Sequence, residues 1–169
     1  MESKLRGHAH KYGKNVDTDV IIPGKYCNII DPVELGKHAL EGLDPDYTAK
    51  MKAGDMIVAD TNFGCGSSRE VAPIAIKGSG TSAVIAKSFA RIFYRNALNI
   101  GLPIFECEDA VEGISNGDEI EVEPATGIIH NHTKNERYHA AEFPPFMRSL
   151  IDAGGLVPYV ERRLADAKT

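Results

Sequence analysis

The chain reads as an α/β protein, and three features of the sequence predict it. Between residues 56 and 107, short apolar runs alternate with apolar patterns of helical spacing. Met56-Ile57-Val58-Ala59, Ser82 to Lys87 and Pro103 to Cys107 have strand length, with helices expected after Glu70 and after Ser88. Strand–helix–strand–helix–strand implies parallel pairing with right-handed crossovers. Beyond residue 118 the period changes to two: Ile120 and Val122 face inward between outward glutamates, Pro124-Ala125-Thr126-Gly127 turns, and Ile128 to Thr133 returns as the hairpin partner. Finally, 43% hydrophobic and 25% charged residues are the balance of a globular chain with a real core. At 169 residues a single domain, 1–169, is expected, with no linker, repeat or low-complexity tract in sight.

Charge and composition exclude several function classes. The net charge is −5 and no basic stripe is present, which argues against nucleic acid and against a membrane surface as partner. No apolar run has bilayer length, and Met1 to Arg6 lacks the apolar core of a secretion signal, so a cytoplasmic protein is expected. Cys27, Cys65 and Cys107 are odd in number and widely spaced, which does not suit a disulfide framework. Without local pairing they also suit an iron–sulfur cluster poorly, and Cys107, ending an apolar run, reads as a buried thiol.

Leu5 to Tyr12 reads as the opening strand, with His8 and His10 on one face. Asn15 and Asp17 favour Asx-turns, so Gly13 to Pro23 is expected as an ordered loop entering a short strand, Val20 to Ile22. Gly24 to Asp31 reads as a loop or lid hinged at Gly24. Asp31-Pro32 is an N-cap followed by proline at the first helical position, predicting a helix through Leu35 and Ala39 to Gly42. Asp44-Pro45 repeats that signal for a short helix to Lys52. Ser88 is expected to cap the second helix of the alternating region, whose buried stripe is Phe89, Ile92, Phe93 and Ala97. Arg91, Tyr94 and Arg95 lie off that stripe. Arg137 to Ala140 adds an edge to the hairpin, Pro144 to Ala153 forms a helix, Gly154-Gly155 breaks it, and Pro158 opens a last amphipathic helix. His130, His132 and His139 are best read as a solvent-facing strand side, with convergence on a metal as the alternative.

The stretch around which the chain is organised is Asp60-Thr61-Asn62-Phe63-Gly64-Cys65-Gly66-Ser67-Ser68-Arg69-Glu70. A strand enters it and a helix leaves it. Gly64 and Gly66 permit backbone angles that aim successive N–H groups into one concavity. A helix N-terminus adds roughly half a positive charge, and Ser67, Ser68 and Arg69 place two hydroxyls and a guanidinium at the rim. That pattern suits an anion, carboxylate or phosphate. The same residues also spell a capping box, Ser67 to Glu70, which needs no ligand. Both readings stand at this point.

Asp17-Thr18-Asp19-Val20-Ile21-Ile22-Pro23, then Asn62 to Glu70, then Ser88-Phe89-Ala90-Arg91-Ile92-Phe93 with Asn96, follow the order found in one family. Over essentially its full length the chain resembles the small subunits of 3-isopropylmalate dehydratase, which correspond to the swivelling domain of aconitase. The resemblance implies a three-layer β/β/α swivel domain and half an enzyme. It implies as partner a large subunit, in a heterodimer or heterotetramer, carrying a [4Fe–4S] cluster whose iron binds the leaving hydroxyl; no cofactor is expected in this chain itself. The implied reaction moves a hydroxyl between neighbouring carbons by dehydration and rehydration, interconverting 2- and 3-isopropylmalate in leucine biosynthesis. On this resemblance Ser67 matches the base and Asp19 an active-site aspartate, with Gly66, Ser68 and Arg69 binding a substrate carboxylate. Arg91 and Asn96 match in position, with a supporting role equally open.

The loop Tyr26-Cys27-Asn28-Ile29 falls where the family sets substrate choice. Homoaconitase-type members carry arginine at the position of Asn28, and isopropylmalate-type members tend to be apolar there. Asn28 is neither, while Ile29 and Ile30 add apolar surface. Losing a bidentate arginine argues against a tricarboxylate. A branched alkyl substrate is therefore expected, 3-isopropylmalate first, with 2,3-dimethylmalate, methylmalate/citraconate or homoaconitate as alternatives. A stand-alone anion-binding module, or an assembly role for an unpaired small subunit, are the readings from other classes.

Overall fold

A computed structural model describes residues 4–168; Met1 to Ser3, half of the stretch read above for a secretion signal, lie outside them. In chain order the elements are β1 (Leu5–Lys11), α1 (Thr18–Ile21), a 3-10 turn (Gly24–Tyr26), α2 (Pro32–Gly36), α3 (Tyr47–Lys50), β2 (Met56–Ala59), α4 (Val71–Gly78) and β3 (Ala83–Ala86). They continue with α5 (Arg91–Asn99), β4 (Ile104–Glu106), α6 (Glu108–Gly113), β5 (Glu119–Glu123), β6 (Ile128–Asn131), β7 (Glu136–His139), α7 (Pro145–Ala153) and α8 (Leu156–Ala167).

The strands form one sheet in the order β4-β3-β2-β1-β5-β6-β7. β4, β3, β2 and β1 run parallel, while β5, β6 and β7 continue antiparallel from the edge of β1. Every residue of β2 and β3 is buried, as expected for parallel strands covered on both faces. Alternation sorts their side chains into two cores. Ile57, Ala59, Val84 and Ala86 pack with Ile21, Leu35, Tyr47, Ile76 and Phe93 of the helical layer. Met56, Val58, Ala83 and Ile85 pack instead with Ile120, Val122 and Ile129 from the antiparallel half, and with Val111 of α6. The sheet thus curls over itself, giving helices, parallel strands and antiparallel strands in three layers. No helix is long and apolar enough to cross a membrane among the described residues.

Several local expectations need correction. Val20 to Ile22 is not a strand: Asp17 accepts the Val20 N–H at 3.0 Å and caps the helical turn α1. The helix from Asp31 stops at Gly36, because α1 competes for the chain that follows. Leu40 and Gly42 donate their N–H groups to Ile21 and Val20 carbonyls, at 2.7 and 3.1 Å. The segment after Asp44 becomes helical only at Tyr47, and Asp44 instead accepts the Tyr12 hydroxyl at 2.7 Å. α6 was not anticipated, its six residues being too few to show a period. The last helix starts at Leu156, with Pro158 inside its first turn, where a missing N–H costs nothing.

His8 and His10 do share a locus, but it is Asp55 that organises it. Asp55 accepts from His10 Nε2 at 2.8 Å and from the His8 and Lys52 N–H groups at 2.9 and 3.0 Å. His130 and His132 stack at 6.0 Å, while His139 Nε2 donates to the Thr126 carbonyl at 2.8 Å. Among the described residues no three His, Cys, Asp or Glu side chains gather as a metal requires.

Candidate active site

The cleft forms beyond the C-terminal ends of β1, β2 and β3, the end at which α/β sheets present ligands. There the chain continues the parallel pairing without regular strands. Gly64 donates to the Val16 carbonyl at 2.7 Å and Thr18 to the Cys65 carbonyl at 2.9 Å. On the other side Phe63 donates to Ser88, and Ala90 to Phe63, at 3.1 and 2.9 Å. The organising stretch is thereby held between the chain leaving β1 and the chain leaving β3.

Gly64 and Gly66 have φ of +84° and +91°, so the sharp turns expected of them are present. Gly64 is also a contact point, since a Cβ there would lie 2.2 Å from Phe93 Cγ. Phe93 packs against Phe63 with ring centroids 5.2 Å apart and stacks with Phe89 at 6.1 Å. This aromatic cluster fixes α5 onto the glycine turn.

Between them lies a cleft of about 180 Å³, lined by Thr18, Gly64, Gly66, Ser67, Ser68 and Arg69 on one side. Ala90, Arg91, Ile92, Phe93 and Asn96 line the other. Neither α4 nor α5 has a side-chain cap. The first turn of α5, with no side-chain cap on its N–H groups and at the positive end of the helix, borders the cleft.

The capping-box reading fails on this geometry. α4 begins only at Val71, with Glu70 as N-cap in helical conformation. The Ser67 carbonyl is held by Thr18 Oγ1 at 2.7 Å. Among the described residues the Ser67 and Ser68 hydroxyls make no hydrogen bond, and both residues are exposed at the cleft. Ser88 likewise does not cap α5: its Oγ accepts the Asn62 N–H at 2.8 Å, and the helix starts after Ala90. Ile92 is not part of a buried stripe but is 50% exposed at the cleft, and Leu98 takes the inward place.

Arg69 ties the glycine turn to the expected specificity loop. Its guanidinium pairs with Asp19 at 2.5 Å, donates to the Ile22 carbonyl at 3.0 Å and lies 3.6 Å from Cys27 Sγ. Asp19 is thus brought to the site through Arg69, with its own side chain 63% exposed. Asn28 and Ile29 are not in the cleft lining; Asn28 is exposed and Ile29 packs half-buried against the helix-side core. Gly24 does border the Arg69 guanidinium. The cysteines lie in separate places: Cys27 in that loop, Cys65 in the glycine turn and Cys107 buried on the opposite face of the sheet. Burial, with the nearby charge of Asp17, raises the Cys65 thiol above its ordinary value and keeps it protonated. This donor set does not fit a metal cluster.

Sequence reasoning alone left Thr18, Ile92 and Phe93 off the site. The signal for the last two was the Ser88–Asn96 stretch itself, read there as core.

Comparison with known proteins gives consistent results. The aconitase C-terminal domain model matches residues 3–108. The 3-isopropylmalate dehydratase small subunit of Caldicellulosiruptor saccharolyticus is 62% identical over 160 residues, covering 95% of this chain and 92% of that protein. The 2,3-dimethylmalate dehydratase small subunit of Eubacterium barkeri is 59% identical over 157 residues, covering 93% and 96%. A crystal structure of 3-isopropylmalate dehydratase from Methanocaldococcus jannaschii superposes with a TM-score of 0.92 at 47% identity, covering 98% of both chains.

Proposed function

The chain belongs to the aconitase C-terminal domain family, among its 3-isopropylmalate dehydratase small subunits, and from this premise we propose that it completes the active site of a hydro-lyase that interconverts 2- and 3-isopropylmalate. Residues 1–169 are read as one aconitase-like swivel domain, a reading supported by the single continuous sheet. A cytoplasmic location is part of the same reading. The partner is a large subunit. Because the cysteines of this chain do not fit a cluster, the [4Fe–4S] group is assigned to that partner, and the free chain is expected to be folded, colourless and inactive.

The observation that carries the proposal is the pair of unspent serine hydroxyls at a turn built for an anion. Dehydration requires a base able to take a proton from a carbon beside a carboxylate. Ser67 is assigned that role, with Gly66, Ser68 and Arg69 binding the carboxylate and Asp19 orienting Arg69. A serine hydroxyl ionises only where its surroundings favour the anion, each pKa unit of lowering needing about 1.4 kcal/mol. Uncapped helix starts and the guanidinium are the available sources. The Asn28 loop is kept as a contributor to substrate choice once the partner is bound.

The E. barkeri relative supports a second substrate, 2,3-dimethylmalate, at almost equal identity. Anaerobic reconstitution with the large subunit of the same organism tests both. Turnover of 3-isopropylmalate, reduced about 10²–10⁴-fold or more in Ser67→Ala, is the expected result. Preference for 2,3-dimethylmalate keeps the mechanism and changes the substrate. No turnover of either acid, citraconate or homoaconitate by a verified complex overturns the hydro-lyase reading.

A further inference from the structure

α5 presents to the cleft a cation and an alkyl surface that nothing else in the chain uses. Arg91 is exposed, lines the cleft, and makes no hydrogen bond or ion pair among the described residues. Ile92 beside it is 50% exposed and lines the same cleft. Asn96, one turn further on, lines the same wall half-buried, with its side-chain amide unpartnered among the described residues. Of the two guanidiniums around the cleft, that of Arg69 is already engaged by Asp19, the Ile22 carbonyl and Cys27. Arg91 is the one left open.

We infer that α5 supplies the second half of substrate recognition, Arg91 and Asn96 binding the carboxylate remote from Ser67 and Ile92 packing against the alkyl substituent. The inference rests on the proposed hydro-lyase function, which requires an acid with two carboxylates and an alkyl branch. An anion with two carboxylates needs two receptors, and within this chain the serine–glycine turn offers one. The receptors must also be fixed relative to one another, and the structure provides that. Phe93 sits on Gly64 and against the Phe63 ring, so the α5 wall and the glycine turn move as one body. A planar guanidinium beside an amide matches a carboxylate held by several hydrogen bonds. Arg95, one turn along the same helix and also exposed, shares a neighbouring groove with Arg91 but lies outside the cleft lining.

The test uses the reconstituted two-subunit enzyme with 3-isopropylmalate and 2,3-dimethylmalate. Arg91→Gln is expected to raise KM for both acids about 10–100-fold with a much smaller change in kcat, the size expected for hydrogen bonds to a charged group. Arg91→Lys should recover only part of the loss, because it keeps the charge but not the fork. Ile92→Ala should lower kcat/KM about tenfold for the isopropyl acid and less for the methyl acid, the low end for an alkyl contact. Arg95→Gln controls for general charge and should leave KM unchanged. Assembly with the large subunit is followed by sedimentation for every variant. An unchanged KM in Arg91→Gln, an equal effect in Arg95→Gln, or a defect confined to assembly overturns the inference while the wild-type turnover leaves the function standing. Absence of turnover in the wild type removes the function, and the inference with it.

Discussion

Gly64 and Gly66 share a backbone conformation and differ in the space around them, which makes them a matched pair. Both have φ near +90°, and a side chain in that region costs about 1–2 kcal/mol. A Cβ at Gly66 would meet nothing closer than Asp17 Cβ at 3.4 Å, an ordinary contact. At Gly64 it would overlap three atoms of Phe93, the nearest at 2.2 Å. Phe93 is buried and held by two aromatic neighbours, so it yields only by moving α5, and overpacking of this kind costs about 1–3 kcal/mol more. Gly66→Ala should therefore destabilise by about 1–2 kcal/mol and Gly64→Ala by about 2–5 kcal/mol. At about 2–4 °C per kcal/mol for a chain of this length, the additional cost of about 1–3 kcal/mol should make the second variant melt roughly 2–12 °C below the first. Urea denaturation by circular dichroism gives the free energies directly. Equal losses in the two variants would refute the claim that the Phe93 contact locks α5 to the turn. Activity should separate them in the opposite sense per unit of stability, because Gly66 borders the serines themselves.

Two further outcomes follow from the ion pairs. Asp19→Asn should change stability by no more than about 0.2–1 kcal/mol, the range for an exposed pair, yet reduce turnover of the complex, since Arg69 loses its orienting carboxylate; a loss seen only in the urea midpoint would reduce Asp19 to a structural role. For Asp55, burial alone would raise the carboxyl, but the hydrogen bonds from His10, His8 and Lys52 outweigh it and hold the value below the ordinary 3.8. A folded value below the unfolded one means that this stabilisation is complete above the unfolded value and is lost as pH falls through the folded one. Acid unfolding should therefore steepen below about pH 4, and Asp55→Asn should be less stable at neutral pH with a flatter acid limb.

The elements legible in the sequence were those whose signals are local and uncontested. Asp31-Pro32 starts a helix where it should, with the Asp31 carboxylate on the Val33 N–H at 3.2 Å. Ile120 and Val122 point inward, as their alternation requires. The two central parallel strands, β2 and β3, were readable because strands buried on both faces must be apolar throughout. What could not be read was where a polar group with several local uses is claimed from afar. Leu40 looks like the continuation of a helix, but its N–H is taken by Ile21 across the chain. Ser88 is a good N-cap by composition, and its hydroxyl is instead spent on Asn62, 26 residues earlier.

The same competition explains why the candidate site was visible and yet ambiguous. Ser67 to Glu70 satisfies the sequence rule for a capping box, and if it capped, the Ser67 hydroxyl would be consumed. Two contacts from the segment after β1 prevent that. Thr18 holds the Ser67 carbonyl, and Arg69 is drawn to Asp19 and the Ile22 carbonyl. Residues 67–69 are thereby kept out of the helix, which starts late and uncapped. Forgoing a cap gives up about 1 kcal/mol and leaves two hydroxyls facing an open cleft. Asp17-Thr18-Asp19 is thus the partner that decides which of the two readings of Ser67 is realised. Its three side chains divide the work: Asp17 caps α1, Thr18 positions the serine turn, and Asp19 holds the guanidinium. Thr18→Val, which removes the hydroxyl at little change in volume, should free the Ser67 carbonyl and let the box form; a gain in helix stability accompanied by a fall in turnover would be the mark of that exchange.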